Sequence, residues 1–281
     1  MPRTPTPTRP RPRPPTRAVR PGPPAADIHP TAVIAPGAVI GSGCHIGPYC
    51  VLGPRVVLGE RCRLHSHVVI DGPTTLGHDN EIFPFACLGQ KTQDLKWKGG
   101  LARVEIGHHN VFREYVTIHA ATDDGRSTVV GSHNHLLAYV HLAHDVQLGS
   151  HVVMSNVATL AGHVVVGDHA VIGGLAAVHQ FCRIGRHAMI GGCSKVVQDV
   201  PPFMMADGNP AATRFINKVG LERAGFGPDR IAPLGKAYKI LFRSGLPLAK
   251  AIRRIEVELP ASPDLGQLLD FARTSERGLA K

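Results

Sequence analysis

Residues 28–64 read IHPTAVIAPGAVIGSGCHIGPYCVLGPRVVLGERCRL, and every sixth residue is Ile or Leu: Ile28, Ile34, Ile40, Ile46, Leu52, Leu58 and Leu64. The step continues through Ile70, Leu76, Ile82 and Leu88, resumes at Ile106, Phe112 and Ile118, and runs again from Val130 to Val196. Of the 29 positions in this register, only Asp94, Gly100 and Asp124 are not large and apolar. A six-residue period marks a parallel β-helix, where each hexapeptide is one short strand plus a turn and three make a triangular coil. The aliphatic points inward and stacks on its equivalents in neighbouring coils. Four residues after it comes a small or β-branched side chain, such as Ala32, Cys44, Cys50, Val56 or Cys62, suited to a tapered corner. Glycine often follows the aliphatic directly, as at Gly41, Gly47 and Gly59. There it is expected to supply a turn with φ > 0. Four of the six cysteines occupy the corner slot and none forms a CxxC pair, so they read as small buried hydrophobes rather than disulfides or zinc ligands.

Two polar insertions interrupt the series, GQKTQDLKWKGGLAR at 89–103 and AATDDGRST at 120–128. In a solenoid such insertions project from one face and commonly help to form a binding site. The period stops at Pro201-Pro202. Beyond it, apolar residues recur at three- and four-residue spacing, with breaks at Gly227-Pro228, Gly245 and Pro260 to Pro263, which predicts about four helices. The expected organisation is therefore an Arg/Pro-rich extension over 1–26, a β-helix over 27–202 and a small helical domain over 203–281. The extension carries six arginines, ten prolines and no acid, and so a large share of the formal +10 charge. It has almost nothing apolar to bury and is expected to be disordered and partly polyproline II. It lacks the apolar core of a secretory signal, and no run of 18 apolar residues occurs anywhere. A cytoplasmic protein with no stable membrane insertion and no nucleic-acid partner is expected.

Within the repeat, YVHLAHDVQL at 139–148 places His141 and His144 beside the inward Leu142, with Asp145 directly after. Both histidines are predicted to point outward. Other polar groups recur about one coil apart: His119 before them, then His163, then His179 and Gln180. A ladder of histidines flanked by two insertions is a candidate site.

From about residue 27 to 280 the chain resembles the UDP-N-acetylglucosamine O-acyltransferases, which open lipid A biosynthesis. The resemblance is carried by QDLKW, RVEIG, REYVTIH, HLAHD, ATLAGHV, IGGLAAVHQF, GGCS, QDVPP and AYKILFRSG. It implies a left-handed parallel β-helix of hexapeptide repeats followed by a small α-helical C-terminal domain. It also implies a homotrimer with active sites between subunits, acyl carrier protein as partner, no cofactor and no metal. Residue by residue, it makes His144 the general base that takes a proton from the sugar 3-hydroxyl, Asp145 its orienting partner and Gly162 the backbone donor to the oxyanion. Gln93, Asp94, Lys96, His119, His141, His163, His179 and Gln180 match positions around the sugar, acyl chain and phosphates. Gly192 matches the position that measures the acyl chain, where a missing side chain leaves a deeper groove and implies a longer acyl group. Asn217 and Arg223 match nucleotide contacts. Val219 and Ala224 depart from the residues relatives often carry, so nucleotide contacts are expected to be rearranged or fewer, and Pro210 stands where relatives carry a histidine near the end of the acyl groove.

The chemistry agrees with these roles. A hydroxyl is a poor nucleophile at neutral pH, and imidazole, with an unperturbed pKa of about 6.5, suits it as a base. Three rivals remain open on the sequence. A sister N-acyltransferase would carry an N-terminal globular domain that the extension does not supply. A γ-type carbonic anhydrase would use three histidines to bind a metal. A non-catalytic hexapeptide scaffold would leave His144 without a task.

Overall fold

The computed structural model describes residues 24–281, so the extension expected over 1–26 lies, through residue 23, outside the described residues. The chain winds into a three-sided prism of parallel sheets with 11, 9 and 8 strands. The first face runs from Asp27–Ile28 to Met189–Ile190 and gains its last two strands from Met204–Gly208 and Ala211–Ile216, the second runs from Val33–Ile34 to Lys195–Val196 and the third from Val39–Ile40 to Arg183–Ile184. Most strands are two residues long, too short to hold alone. Each gains its hydrogen bonds from the coils above and below: Leu142 lies between Ile118 and Leu160 in register. The inward aliphatics and the corner residues, including Cys44, Cys50, Cys62 and Cys182, form one buried column along the prism.

Glycine's role at the corners differs from the one expected. Gly41, Gly47 and Gly59 do not adopt positive φ. A Cβ on Gly41 would sit 2.5 Å from the carbonyl carbon of Gly59, and one on Gly59 would sit 2.6 Å from Gly77. Glycine is required there because successive coils nearly touch. The left-handed conformation falls two residues later and is taken by larger side chains, such as Tyr49 at φ 59°, Asp145 at 60° and His163 at 59°. Polar Asp and His tolerate that region better than branched residues do.

The change of character at Pro202 is also not the start of the helices. Met204–Gly208 adds a parallel strand beside Met189–Ile190, and Ala211–Ile216 folds back on it antiparallel, with Pro210 at the turn after a cis peptide bond. Helices α1 (Lys218–Arg223), α2 (Pro228–Arg243), α3 (Leu248–Glu258) and α4 (Pro263–Arg273) follow. They close on a second core that includes Phe203, Leu221, Phe226, Leu234 and Leu268. Arg183 ties the two parts, pairing with the buried Asp199 at 3.0 Å and donating to the Phe271 carbonyl at 2.9 Å. None of the described helices is long and apolar enough to cross a membrane.

The third-to-first edge carries a column of imidazoles. His109, His133, His151, His169 and His187 stack with ring centres 4.6–4.8 Å apart. The column ends at Phe203 and Phe226 beneath the helices. Burial, with Arg186, His169 and Arg230 nearby and Asp264 opposing, pushes the His187 pKa down to about 4.

Two outcomes follow from this architecture. Gly59→Ala, which forces a Cβ into the next coil, should lower stability by about 1–3 kcal/mol. Gly266→Ala in α4, where nothing lies within 4 Å, should raise it by about 1 kcal/mol. Urea unfolding midpoints measure both. The second outcome concerns pH. His187 binds its proton less readily folded than unfolded, so its contribution is complete above the unfolded pKa of about 6.5. It is lost as pH falls toward 4. The urea midpoint should therefore decline from pH 6.5 to 4, and His187→Phe, which keeps the stack but cannot titrate, should make the decline shallower.

Candidate active site on the second-to-third edge

Both insertions leave the prism at the edge between its second and third faces. The first lies between Cys87–Gln90 and Arg103–Ile106, the second between Thr117–His119 and Ser127–Val130. The ladder is not displaced by them, since Leu76 pairs with Ile106 and Ile106 with Val130. The next coil along that edge carries Ala143, His144 and Asp145. The insertions wall it in, and the outward His144 side chain is only 12% exposed.

The His144 ring is held on both sides. Its Nδ1 lies 2.9 Å from Asp145 Oδ2, and its Nε2 lies 3.9 Å from Asp94 Oδ2 in the first insertion. Asp145 is itself pinned: its Oδ2 accepts the Thr122 N–H at 3.0 Å, and its own N–H donates to Thr128 Oγ1 at 2.8 Å. A carboxylate can only accept, so the His144 proton sits on Nδ1 and Nε2 is left with its lone pair. One coil on, Gly162 occupies the position equivalent to His144. A Cβ there would lie 2.3 Å from His144 Cε1 and 2.4 Å from Nε2, so only glycine leaves room for the imidazole. Among the described residues the Gly162 N–H meets no backbone acceptor.

Around this centre stand more imidazoles. His163 follows Gly162, packs edge-on to His144 at 5.1 Å and stacks on Phe181 at 4.6 Å. His141 accepts from or donates to Thr117 Oγ1 at 2.7 Å through Nδ1, and lies edge-on to His119 at 5.0 Å. Burial first, then His119 and His144, pushes the His141 pKa down to about 4. Burial, aided by His144, also lowers that of His119, whose Nδ1 is buried with no partner. Both rings are neutral at pH 7, so they add no positive charge beside His144. A groove of about 430 Å³, lined by Arg126, Ser127, Asp145, Gln147 and His163 among others, opens beside the centre.

The structure gathers Asp94, His119, His141, His144, Asp145, Gly162 and His163 within this one region. His179 and Gln180 lie farther along the same edge, exposed, as do Gln93 and Lys96 on the first insertion. Three residues lie elsewhere. Gly192 sits on the first-to-second edge, where a Cβ would meet the Gly174 carbonyl at 3.2 Å. Asn217 and Arg223 belong to α1, above the third-to-first edge. Asn217 caps that helix, its Oδ1 accepting from the Gly220 N–H and its Nδ2 donating to the His187 carbonyl at 2.9 Å. Arg223 is exposed and has no ion pair among the described residues. Thr92, Thr117, Thr122 and Thr128 were not singled out by the sequence. Apart from the local bond of the Asp94 N–H to Thr92, their partners lie on other coils or insertions.

His144, Asp145 and His163 also form a trio whose donor atoms lie within 4.8 Å of one another. As arranged, Asp145 Oδ2 and His144 Nδ1 bind each other, and Oδ2 also takes the Thr122 N–H.

Comparison with known proteins bears on the chain as a whole. Residues 199–280 match the family model for domain 2 of UDP-N-acetylglucosamine O-acyltransferase, and residues 28–54 and 37–72 match the bacterial transferase hexapeptide model. The acyl-[acyl-carrier-protein]–UDP-N-acetylglucosamine O-acyltransferase of Psychromonas ingrahamii is 60% identical over 257 residues, spanning 91% of this chain and 98% of that one. The solved structure of LpxA from Acinetobacter baumannii superposes with a TM-score of 0.87 at 46% identity, over 90% of this chain and 99% of that one. UDP-N-acetylglucosamine O-acyltransferase from Moraxella catarrhalis gives a TM-score of 0.87 at 41% identity, with the same coverage of 90% and 99%. The shared fold is the left-handed parallel β-helix with a C-terminal helical region. With its repeat, its helical end and most of its length matched, this chain belongs to the UDP-N-acetylglucosamine O-acyltransferase family.

Proposed function

We propose that this protein transfers an acyl group from acyl carrier protein to the 3-hydroxyl of UDP-N-acetylglucosamine, with His144 as general base. The observation that carries the reading is the His144 imidazole, held at Nδ1 by Asp145, with Nε2 facing a glycine whose N–H meets no backbone acceptor among the described residues. The sugar hydroxyl gives its proton to Nε2 as its oxygen attacks the thioester carbonyl. The imidazolium so formed is stabilised by Asp145 and by Asp94, 3.9 Å from Nε2. The carbonyl oxygen gains the negative charge and accepts the Gly162 N–H. One such donor contributes about 3 kcal/mol of transition-state stabilisation. Collapse expels the carrier thiolate, which takes the proton back from His144. A thioester is activated enough that these residues suffice, and the acyl group carries a 3-hydroxyl by likeness to the family.

The edges of the prism bear on assembly. Matched residues sit on all three: His144 on one, Gly192 on another, Asn217 and Arg223 above the third. Within a single chain they cannot meet around one substrate, which supports a homotrimer in which neighbouring copies complete each site. The acidic carrier would meet the helical region, where Lys239 and Arg253 are exposed without an ion pair among the described residues, whereas Arg254 is already bound to Glu258. A cytoplasmic setting accords with both substrates.

The deciding assay measures acyl transfer from 3-hydroxyacyl-carrier protein to UDP-N-acetylglucosamine. His144→Ala should fall by about 10²–10⁴-fold. Equal activity in both proteins removes His144 from the mechanism. No activity in either, in folded protein, redirects the reading to a 3-amino sugar acceptor and then to metal analysis. Gly162→Ala keeps the backbone donor but places a methyl on the imidazole. It should lose at least about a hundredfold through displacement of the base, with an unchanged circular-dichroism spectrum.

A further inference from the structure

The two insertions meet at one buried contact. Thr92, 4% exposed, and Thr122, 7% exposed, bring their hydroxyls to 2.9 Å. Each threonine also holds one of the two aspartates that flank His144, Thr92 at the backbone of Asp94 and Thr122 at the carboxylate of Asp145. Thr92 Oγ1 accepts the Asp94 N–H at 3.0 Å, and the Thr122 N–H donates to Asp145 Oδ2 at 3.0 Å. Asp145 binds His144 at Nδ1 and Asp94 faces it at Nε2. The run of contacts therefore leaves the imidazole by one nitrogen and returns to the other, and the hydroxyl pair is its closing link.

We propose that Thr92 and Thr122 are positioning residues for the acyl transfer: their hydroxyl-to-hydroxyl bond locks the insertions together and sets both carboxylates against the His144 imidazole. The proposal rests on the reading of His144 as the base. Its physical need is plain in the first insertion. Gln93, Leu95 and Lys96 beside Asp94 are exposed, Leu95 completely, and the Lys96 N–H that donates to Asp94 Oδ1 at 2.9 Å is internal to the loop, so it shapes the turn without fixing it to the prism. The insertion is held at its ends, by Thr92 on Thr122 and by the Leu101 N–H on Asp124 Oδ1 at 2.6 Å. Both anchors belong to the second insertion. Losing one hydroxyl from a buried pair strands its partner's polar group, which costs more than removing both. Small errors in the placement of a base are costly to turnover.

The test compares Thr92→Val, Thr122→Val, the double valine variant, Thr92→Ser and Thr122→Ser, with His144→Ala as control. Each single valine variant should lower kcat by about tenfold to a hundredfold, leaving KM for the acyl donor unchanged. The double variant should be no slower than the slower single, because both changes break the same link. Serine, which keeps the hydroxyl, should restore most of the rate. The acid limb of the kcat/KM profile should move to lower pH in the valine variants, because a poorly placed carboxylate favours the imidazolium less. An NMR titration of His144 in each variant reads the same shift without turnover. Valine variants with unchanged kcat and unchanged His144 titration overturn the proposal while an inactive His144→Ala leaves the base in place. An active His144→Ala overturns both. Valine variants that lose only thermal stability, or serine variants no better than valine, assign the pair a structural role and overturn the positioning one.

Discussion

Everything in this molecule depends on coils stacking closely enough for two-residue strands to share backbone hydrogen bonds. Such strands have no stability of their own. They persist because each lies between two others in register and because the aliphatics inside stack into one continuous column. The corners set the limit on that closeness. Gly41, Gly59 and Gly77 follow one another up an edge, and a Cβ on either of the first two would strike the backbone of the next coil. Tight corners make the prism rigid, and the rigidity places outward side chains on a lattice fixed by the backbone.

That lattice gives each edge its own character from the same turn geometry. The left-handed position holds Tyr49, His67, Phe85, Tyr115 and Tyr139 on the first-to-second edge, stacked ring on ring at 4.7–5.0 Å. On the third-to-first edge it holds the imidazole column that runs up to Phe203. On the second-to-third edge it holds Asp145, His163 and Phe181. There the position before it, His144, Gly162 and Gln180 in successive coils, presents the chemistry. The His144 imidazole and the Gly162 N–H are thus neighbours because equivalent positions are stacked, with no loop needed to bring them together. The two insertions add what the lattice lacks: Asp94, cover from water and the N–H that pins Asp145.

The electrostatics depend on burial as much as on charge. Imidazoles surround His144, and were they cationic they would oppose proton uptake at its ring. Burial keeps His119 and His141 neutral at pH 7, so the nearest formal charges are the carboxylates of Asp145 and Asp94. The same desolvation acts on His187 under the helices. Acid would therefore stress the site and the junction with the helical region together.

The sequence by itself determined the prism, because a six-residue period has one structural solution and inward aliphatics can be counted along the chain. It also marked the insertions, the four helical segments and the His144-Asp145 pair, since each lies within one short stretch. It misjudged the corner glycines, whose constraint comes from a coil 18 residues away rather than from their own φ. It also missed the hairpin of Met204–Gly208 and Ala211–Ile216, whose first strand is set by the exposed edge of Met189–Ile190. Only the tertiary structure decided that Thr92 meets Thr122, that Gly162 faces the His144 ring and that Gly192, Asn217 and Arg223 lie away from it on other edges. Those facts depend on which coil stacks on which and on which edge a residue falls, and the period of the sequence repeats the same pattern on all three.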